Sequence, residues 1–297
     1  MPSVLLLIRI YVTFAFVAVL PAAAATIAPP IVPLAEQVNF MSADGATTLI
    51  GYLFKPEQSR SSPAPAVVMM HGRTGAYSSL ARGNYGAATL TRNHQHWGHL
   101  WAQQGYAALL VDGFSPRGYP TGFSHASYNQ RPESVNEVTV RPLDAYGALA
   151  WLRKRSDILP DRIALQGWSN GGSATLATMA AVREADVPAP IPATGFRGAI
   201  AFYPGCGLKG QFKNGLVPYA PVWIFQGTAD EEVSPSRCSA LVDKSRSHNG
   251  DIQIVFYPGA THGFDDPAEK RRSVQANALA TADAIKRAVA FFAKLLR

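Results

Sequence analysis

The chain has 297 residues, of which 47% are hydrophobic and 16% charged, and its formal net charge is +7 at pH 7. This length allows one large α/β domain or two smaller ones, and the composition excludes disordered, collagenous and coiled-coil proteins. The basic residues are scattered, with the tightest cluster at Lys270-Arg271-Arg272, so a solvated basic surface is favoured over a nucleic-acid-binding stripe.

The N-terminus has the pattern of a secretory signal peptide. Arg9 ends a positively charged start, residues 10–20 are apolar, and residues 22–25 are four alanines that suit a signal peptidase. The apolar run is too short to span a bilayer. We expect residues 1–25 to be a cleaved signal, residues 26–37 a Pro-rich spacer and residues 38–297 one domain. The mature protein would then be secreted or periplasmic without a stable membrane span, and an uncleaved anchor is the alternative.

Short apolar runs alternate with helical patterns along the rest of the chain. Most of these runs are continuous, which is typical of parallel strands buried on both faces. The predicted strands are residues 48–54, 66–70, 107–111, 163–166, 199–202, 222–226 and 252–257. The predicted helices are residues 143–155, 171–184 and 235–247, and a C-terminal helix with Ile285, Val289, Phe292 and Leu296 on one face. The alternation predicts a doubly wound, mostly parallel α/β sheet.

Two connections between predicted strands are unusually long, at residues 72–105 and 113–140. Long insertions at the carboxyl ends of parallel strands commonly form the walls of an active site. The candidates for lining a pocket are Tyr77, Tyr85, His94, His96, Trp97, Phe114, Arg117, Tyr119 and Phe123. For Trp97 and Trp101, which are four residues apart, we prefer core packing within a helix.

The strongest local motif is Gly167-Trp168-Ser169-Asn170-Gly171, which lies between a predicted strand and a predicted helix. It matches the G-x-S-x-G nucleophile elbow, in which a serine sits at the tip of a sharp turn between strand and helix. Side chains in place of the two glycines would collide with the neighbouring strand and helix. Ser169 is therefore the candidate nucleophile.

A serine hydroxyl needs a general base, and in this fold the acid and the histidine follow the serine along the chain. Asp230 and His262 each follow one of the last two predicted strands, which places both at the sheet edge that carries Ser169. His262 would accept the Ser169 proton, and Asp230 would orient the imidazole. The other carboxylates that could orient the ring are Glu231, Asp265 and Asp266.

The first parallel strand ends in His71-Gly72-Arg73-Thr74-Gly75, a turn that can present the backbone N–H of Arg73. The residue after the nucleophile, Asn170, would supply a second N–H, and two such donors can stabilise an oxyanion. The Arg73 side chain could also bind a substrate carboxylate, with a solvent-facing side chain as the alternative. The remaining candidates for substrate contact are Tyr77, Phe114, Arg117 and Trp168.

The two cysteines, Cys206 and Cys238, are 32 residues apart. In an oxidising compartment such a pair predicts a disulfide, and two unrelated buried thiols are the alternative. Two sulfurs with no histidine at ligand spacing do not indicate zinc. No cofactor or metal is implied, because acyl transfer to a serine needs neither.

Together these motifs resemble the dienelactone hydrolase family of the α/β-hydrolase superfamily, over roughly residues 38–296. The segments that carry the resemblance are His71-Gly72-Arg73-Thr74-Gly75, Val111-Asp112-Gly113-Phe114-Ser115-Pro116-Arg117-Gly118, the pentapeptide at Ser169, Gly227-Thr228-Ala229-Asp230 and His262-Gly263-Phe264. The resemblance implies an α/β-hydrolase fold and hydrolysis of esters or lactones, with Asp112 and Arg117 supporting the active-site loops. The founding members are cytoplasmic and carry a cysteine nucleophile, so a dienelactone is not implied as the substrate.

We therefore expect an exported carboxylic-ester hydrolase that acts on a small-molecule ester or lactone through an acyl-enzyme. A peptidase of the prolyl-oligopeptidase type shares this fold and residue order. The short stretch before Val38 leaves no room for the gating domain that such peptidases usually carry. A non-catalytic binding module is a third hypothesis, and it is disfavoured because every position of the triad is filled.

Overall fold

The computed structural model describes residues 33–56, 63–181 and 195–297, so the predicted signal peptide and most of the predicted spacer lie outside the described residues. All seven predicted strands are present. In chain order the strands are β1 (Glu36–Met41), β2 (Thr48–Phe54), β3 (Ala64–Met70), β4 (Ala107–Asp112), β5 (Ile158–Trp168), β6 (Ala199–Phe202), β7 (Val222–Gly227) and β8 (Ile252–Tyr257).

The described strands form one sheet in the order β1-β2-β4-β3-β5-β6-β7-β8. β2 pairs with β1 and with β4 in antiparallel fashion, and the pairs from β4 to β8 are parallel. Val68 on β3 is in register with Leu109 on β4 and Leu165 on β5, which places three apolar side chains side by side. The predicted mostly parallel α/β-hydrolase sheet is confirmed.

The strand that the sequence pattern did not predict is β1. It lies at the edge of the sheet, and Phe40 is its one buried side chain. A continuous apolar run identifies strands that are covered on both faces, and β1 has only one neighbour and little burial. Its sequence therefore lacks the signal that identified the other strands.

Six α-helices are present in the described part of the chain. They are α1 (Arg92–Gln103), α2 (Arg141–Arg153), α3 (Asn170–Met179), α4 (Pro235–Ser247), α5 (Glu269–Arg272) and α6 (Gln275–Leu296). α4 has the predicted bounds, and the Ser234 side chain accepts a hydrogen bond from the Arg237 N–H as its N-cap. α3 is shorter than predicted, because Ala180 leaves the helix and forms a β-bridge with Pro218. None of these helices is long and apolar enough to cross a membrane.

Apolar side chains cover both faces of the sheet. On one face, Leu149 of α2, Leu176 of α3 and Leu241 of α4 pack in a single buried cluster with side chains of the central strands. On the other face, Trp97 and Trp101 of α1 are fully buried in a cluster that also includes α6. The predicted core role of the two tryptophans is confirmed, and helices on both faces make the sheet doubly wound.

The face of α6 that packs on the sheet differs in part from the prediction. Phe292 and Leu296 are fully buried as expected, whereas Ile285 and Val289 are only partly buried. Three alanines on this helix, Ala280, Ala284 and Ala288, are buried in a row at intervals of four residues. Small side chains allow the helix to lie close to the sheet, and the larger apolar residues then flank the line of closest approach.

The parallel strands all end at one edge of the sheet. The turn that begins at His71 follows β3, Ser169 follows β5, Tyr203 follows β6, Asp230 comes after β7 and His262 comes after β8. Residues that are distant in the chain therefore meet at this edge, as is usual for open parallel sheets.

Candidate active site

Ser169 occupies a sharp turn between β5 and α3. Its φ of +51° and ψ of −116° lie in a region that residues with a side chain rarely adopt. A Cβ at Gly171 would overlap the carbonyl oxygens of Met70 and His71. A Cβ at Gly167 would overlap the Gly171 carbonyl oxygen, so both glycines of the pentapeptide are required by close backbone approach.

The structure brings Ser169, His262 and Asp230 into one hydrogen-bonded chain. His262 Nε2 lies 3.0 Å from Ser169 Oγ, and His262 Nδ1 lies 2.9 Å from one Asp230 oxygen and 3.1 Å from the other. An Asp230 carboxylate can only accept, so Nδ1 carries the proton and Nε2 is free to accept the serine hydroxyl. The Tyr203 ring packs edge-on against the imidazole, with the ring centroids 4.6 Å apart.

The Asp230 carboxylate is held by several further donors. Its Oδ1 accepts the backbone N–H groups of Glu232 and Val233 at 2.9 Å, and its Oδ2 accepts Gln226 Nε2 at 2.9 Å. Burial raises the pKa of Asp230, but the hydrogen bonds from His262 and from these two N–H groups lower it by a larger amount. The pKa of Asp230 therefore lies below its ordinary value. The group is therefore an ionised acceptor at neutral pH.

The other three carboxylates considered for this role have different partners. Glu231 accepts the backbone N–H of His262 and a hydrogen bond from Arg271, and Asp266 accepts the N–H of Ala268. Asp265 is buried and accepts hydrogen bonds from three aromatic side chains: Trp97 Nε1 at 2.8 Å, Trp168 Nε1 at 2.8 Å and Tyr203 Oη at 2.6 Å. It thus links the residue before Ser169 to the ring that packs on His262.

Both residues that were predicted to supply oxyanion donors, Arg73 and Asn170, lie beside Ser169. Asn170 is the first residue of α3, where backbone N–H groups have no partner within the helix. The turn after β3 passes close to the nucleophile, since a Cβ at Gly72 would lie 3.5 Å from Ser169 Cβ. Arg73, Ser169 and Asn170 line the same cavity.

A buried arginine that sequence reasoning missed braces these two segments. Arg141 is fully buried; its Nη1 donates to Asn170 Oδ1 at 2.6 Å and its Nη2 donates to the His71 carbonyl oxygen at 2.8 Å. Burial lowers the pKa of Arg141 to about 10, with the charges of Asp144 and Glu137 opposing the shift. The guanidinium therefore remains protonated at neutral pH and connects the end of β3 to the start of α3.

The Arg73 side chain is paired within the protein. Its Nε and Nη2 donate to the two carboxylate oxygens of Glu232 at 3.0 and 2.8 Å, and Nη1 donates to the Phe123 carbonyl oxygen. Burial raises the pKa of Glu232, but the Arg73 hydrogen bond and the charges of His262 and Arg73 lower it below its ordinary value. Glu232 also lies 3.6 Å from His262 Nε2.

Two cavities meet at Ser169, and Arg73 and Glu232 line both of them. The larger, of about 320 Å³, is also lined by Tyr128, Arg131, Ser173, Cys206 and Val233. The smaller, of about 160 Å³, is also lined by Thr91, Asn93, His94, His262 and Asp266. The long connection after β3 thus contributes Thr91, Asn93 and His94 to the wall of the smaller cavity, and the one after β4 contributes Tyr128 and Arg131 to the wall of the larger cavity.

Three predicted substrate contacts lie outside the walls of both cavities. Tyr77 is buried with its hydroxyl 2.7 Å from that of Tyr52, and Phe114 is buried with its ring over Arg141. Arg117 donates to both oxygens of the buried Asp144 at 2.9 and 2.8 Å, an ion pair that occupies its guanidinium. Of the five predicted contacts, Arg73 and Trp168 line a cavity.

Cys206 and Cys238 form the predicted disulfide. It joins the loop after β6 to α4, and Cys206 forms part of the wall of the larger cavity. Within the described residues, no group of three or more His, Cys, Asp or Glu side chains is arranged to hold a metal ion.

Solved structures of known proteins resemble this chain in their fold. The chain is 20% identical to a dienelactone hydrolase-like promiscuous phosphotriesterase from metagenomic libraries, with a TM-score of 0.62 over 89% of this chain and 98% of that one. It is also 20% identical to esterase 2 of Thermogutta terrifontis, with a TM-score of 0.57 over 87% of this chain and 96% of that one. Both similarities concern the fold.

A curated relative is the dipeptidyl aminopeptidase BIII of Pseudoxanthomonas mexicana, which is 23% identical over 275 residues. The match covers 80% of this chain but only 37% of the relative. The model of the dienelactone hydrolase family matches residues 49–296. The chain therefore belongs to the dienelactone hydrolase family, and this membership is consistent with the expected class, a carboxylic-ester hydrolase.

Proposed function

We propose that the chain is an exported serine hydrolase that cleaves carboxylic esters or lactones through an acyl-enzyme on Ser169. The observation that carries the proposal is the continuous hydrogen-bonded chain from Ser169 Oγ through His262 to Asp230. An arrangement of this kind activates a hydroxyl that would otherwise be a weak nucleophile.

The proposed reaction has two stages. His262 Nε2 takes the Ser169 proton as Oγ attacks the ester carbonyl, and the N–H groups of Arg73 and Asn170 stabilise the oxyanion. His262 then gives the proton to the departing alcohol oxygen. In the second stage His262 activates water, which releases the acid and restores Ser169.

Steady-state kinetics of the full chain on a panel of p-nitrophenyl esters tests this proposal. We expect turnover of the wild-type protein and a fall in kcat of about 10³-fold or more for Ser169→Ala, because the base then has no nucleophile to activate. Ser169→Ala should keep the thermal midpoint within a few degrees. Turnover by a folded Ser169→Ala variant close to that of the wild type would refute the proposal.

A serine peptidase is the second candidate, and the similarity to the Pseudoxanthomonas dipeptidyl aminopeptidase favours it. The same triad can cleave amides, so the geometry of Ser169 alone does not separate the two activities. Aminoacyl and dipeptidyl p-nitroanilides should be run beside the esters. A higher kcat/KM on anilides than on esters would replace the esterase proposal with the peptidase.

Export is proposed from the N-terminal sequence, and the disulfide supports it, since disulfides persist in oxidising compartments. Expression of the full chain with its own N-terminus in a Gram-negative host, followed by mass measurement of the periplasmic protein, tests this point. We expect a mature chain that begins after Ala24 or Ala25. Retention of Met1 in a membrane fraction would show the uncleaved anchor instead.

A further inference from the structure

The two cavities at Ser169 differ in which catalytic group they contain. Ser169, Arg73 and Glu232 line both, whereas the smaller cavity alone includes His262 in its wall. In the proposed reaction, His262 Nε2 gives its proton to the leaving oxygen, which must come within hydrogen-bond reach of that nitrogen. In that reaction the alcohol part of the ester would therefore extend into the smaller cavity, and the acyl part would extend into the larger one.

The wall of the smaller cavity contains several hydrogen-bonding side chains, and one of them is His94. His94 is buried, and its Nδ1 lies 3.1 Å from the Ala76 carbonyl oxygen, so Nδ1 carries the proton and donates it there. Burial lowers the pKa of His94 to about 4, so the ring is neutral at pH 7 and its Nε2 is an acceptor. The proposed mechanism does not use this histidine.

A second acceptor in the same wall is the carboxylate of Asp266. Its Oδ1 accepts the N–H of Ala268 at 2.8 Å, and a carboxylate has capacity for further donors on its second oxygen. Thr91 and Asn93 add a hydroxyl and an amide to the same wall. Thr91 Oγ1 already accepts the N–H of His94, and Asn93 Nδ2 donates to Asp265. An apolar alkyl group placed here would desolvate His94 Nε2 and the second Asp266 oxygen without supplying a partner, which is unfavourable.

We propose that the smaller cavity is a leaving-group subsite for a short alcohol that carries a free hydroxyl, as in the monoester of a 1,2-diol. The free hydroxyl donates to His94 Nε2 or to Asp266. The inference rests on the proposed esterase function and specifies its substrate class. The volume of the smaller cavity, about 160 Å³, is half that of the larger cavity, about 320 Å³. This small volume suits a short alcohol.

The chemical step remains ordinary ester cleavage. Ser169 Oγ bonds to the carbonyl carbon, and the bond from that carbon to the alcohol oxygen breaks. The serine proton passes through His262 to the same oxygen, so the diol leaves neutral. Water then adds to the acyl-enzyme, and the acid is released.

A pair of isosteric butanoate esters tests the subsite. 2-Hydroxyethyl butanoate and propyl butanoate differ by one terminal hydroxyl in place of a methyl group. Their intrinsic reactivities cancel when the ratio of kcat/KM is compared between variants. We expect His94→Asn to lower the hydroxyethyl-to-propyl ratio by about three- to tenfold, since asparagine keeps the donor to Ala76 but does not reach as far as Nε2.

Asp266→Ala is a second variant at a less buried position, and it should lower the same ratio. Val233→Phe, in the larger cavity, is the matched comparison: it should reduce turnover of longer acyl chains and leave the ratio unchanged.

An independent measurement is the partition of the butanoyl-enzyme between water and added alcohol. Ethylene glycol should capture more acyl groups than propan-1-ol, and His94→Asn should reduce that advantage.

The failures of the two proposals can be distinguished. An unchanged ratio in both His94→Asn and Asp266→Ala, with propyl butanoate still cleaved and Ser169 still labelled by a fluorophosphonate, overturns the subsite alone. A ratio altered by Val233→Phe but not by His94→Asn also overturns it, because the alcohol would then occupy the larger cavity. An unlabelled Ser169 without ester turnover overturns both proposals.

Discussion

The Asp230 carboxylate accepts hydrogen bonds from His262, Gln226 and two backbone N–H groups, so both its charge and its position are set by neighbours. Asp230→Asn keeps the shape and removes the charge. An amide can offer its NH2 group to Nδ1, which would favour the tautomer with the proton on Nε2, facing Ser169. We expect kcat to fall by about 10⁴-fold. The measurement is kcat on p-nitrophenyl butanoate beside the thermal midpoint, and a loss below tenfold in a folded variant would exclude Asp230 as the orienting acid.

Arg141 gives a second prediction for a single residue. Arg141→Met removes the donors to Asn170 Oδ1 and the His71 carbonyl and leaves both buried acceptors unpaired. We expect a loss of about 2–4 kcal/mol in the free energy of unfolding, measured by urea titration. Because the two segments carry the proposed oxyanion donors, kcat should fall more than KM rises. Arg141→Lys is the matched control: it keeps the charge, but its one nitrogen cannot occupy the positions of both Nη1 and Nη2, so it should recover only part of the loss. Unchanged stability would contradict the bracing role.

The three residues of the candidate triad were predictable because each follows a strand and lies in a local motif. Arg141 has no such signal: its partners are 29 and 70 residues away in the chain, and an arginine at the start of a helix is usually solvated. The same holds for Asp265, whose aromatic donors come from α1, β5 and the end of β6. Hydrogen bonds between residues this far apart in the chain produce no periodic pattern in the sequence, so sequence patterns do not predict them.

Among the elements, strands covered on both faces were predictable to within a few residues. The continuous apolar run of β6 gave its bounds correctly, whereas the exposed edge strand β1 gave no such run. The end of α3 was misplaced because the helical pattern continues past Met179, while the chain turns there to pair Ala180 with Pro218. The long connections were correctly expected to line the site, but which of their side chains reach it depends on loop paths.

The disulfide between the β6 loop and α4 gives a prediction about elements. Cross-linking residues 32 apart in sequence restricts the unfolded chain and should contribute about 3–4 kcal/mol to stability. Reduction should therefore lower the urea midpoint of the wild-type protein. The double variant Cys206→Ser with Cys238→Ser should start at the lower midpoint and not respond to the reductant. A wild-type midpoint that stays constant while thiol titration reports two reduced cysteines would contradict this contribution.

At the scale of the whole molecule, the site depends on five parallel strands ending at one edge. The alternation of strands and helices predicted the sheet, but not that β4 lies between β2 and β3. That order places the β3 turn next to β5, and so brings Gly72 and Arg73 beside Ser169. Strand order is decided by which crossovers pack together, and the sequence of a single chain records this only weakly.

The dependence of stability on pH is also a property of the whole molecule, and Glu232 contributes to it with a definite sign. Its pKa in the folded protein lies below the ordinary value of 4.5, so between those two values the folded state binds fewer protons than the unfolded state. The contribution of Glu232 to the free energy of unfolding is therefore fully present above about pH 4.5. That contribution is lost as the pH falls through the pKa of Glu232 in the folded protein.

Glu232→Gln, compared with the wild type by urea titration from pH 7 to pH 3, tests this sign. We expect the variant to be less stable at pH 7, because Arg73 loses its ionic partner. The difference should narrow as pH falls below 4.5. A difference in free energy of unfolding that stays constant or widens towards pH 3 would show that the Arg73–Glu232 pair does not stabilise the folded protein in this pH-dependent way.

The most direct measurement of the central claim is identification of the residue that a fluorophosphonate probe modifies. The full chain would be treated with the probe, and intact mass and peptide mapping would locate the adduct. We predict one adduct per chain, on the peptide that contains Ser169, absent in Ser169→Ala and formed far more slowly in His262→Ala. An adduct on another residue, or equally fast labelling of His262→Ala, would contradict the account of Ser169 as a nucleophile activated by His262.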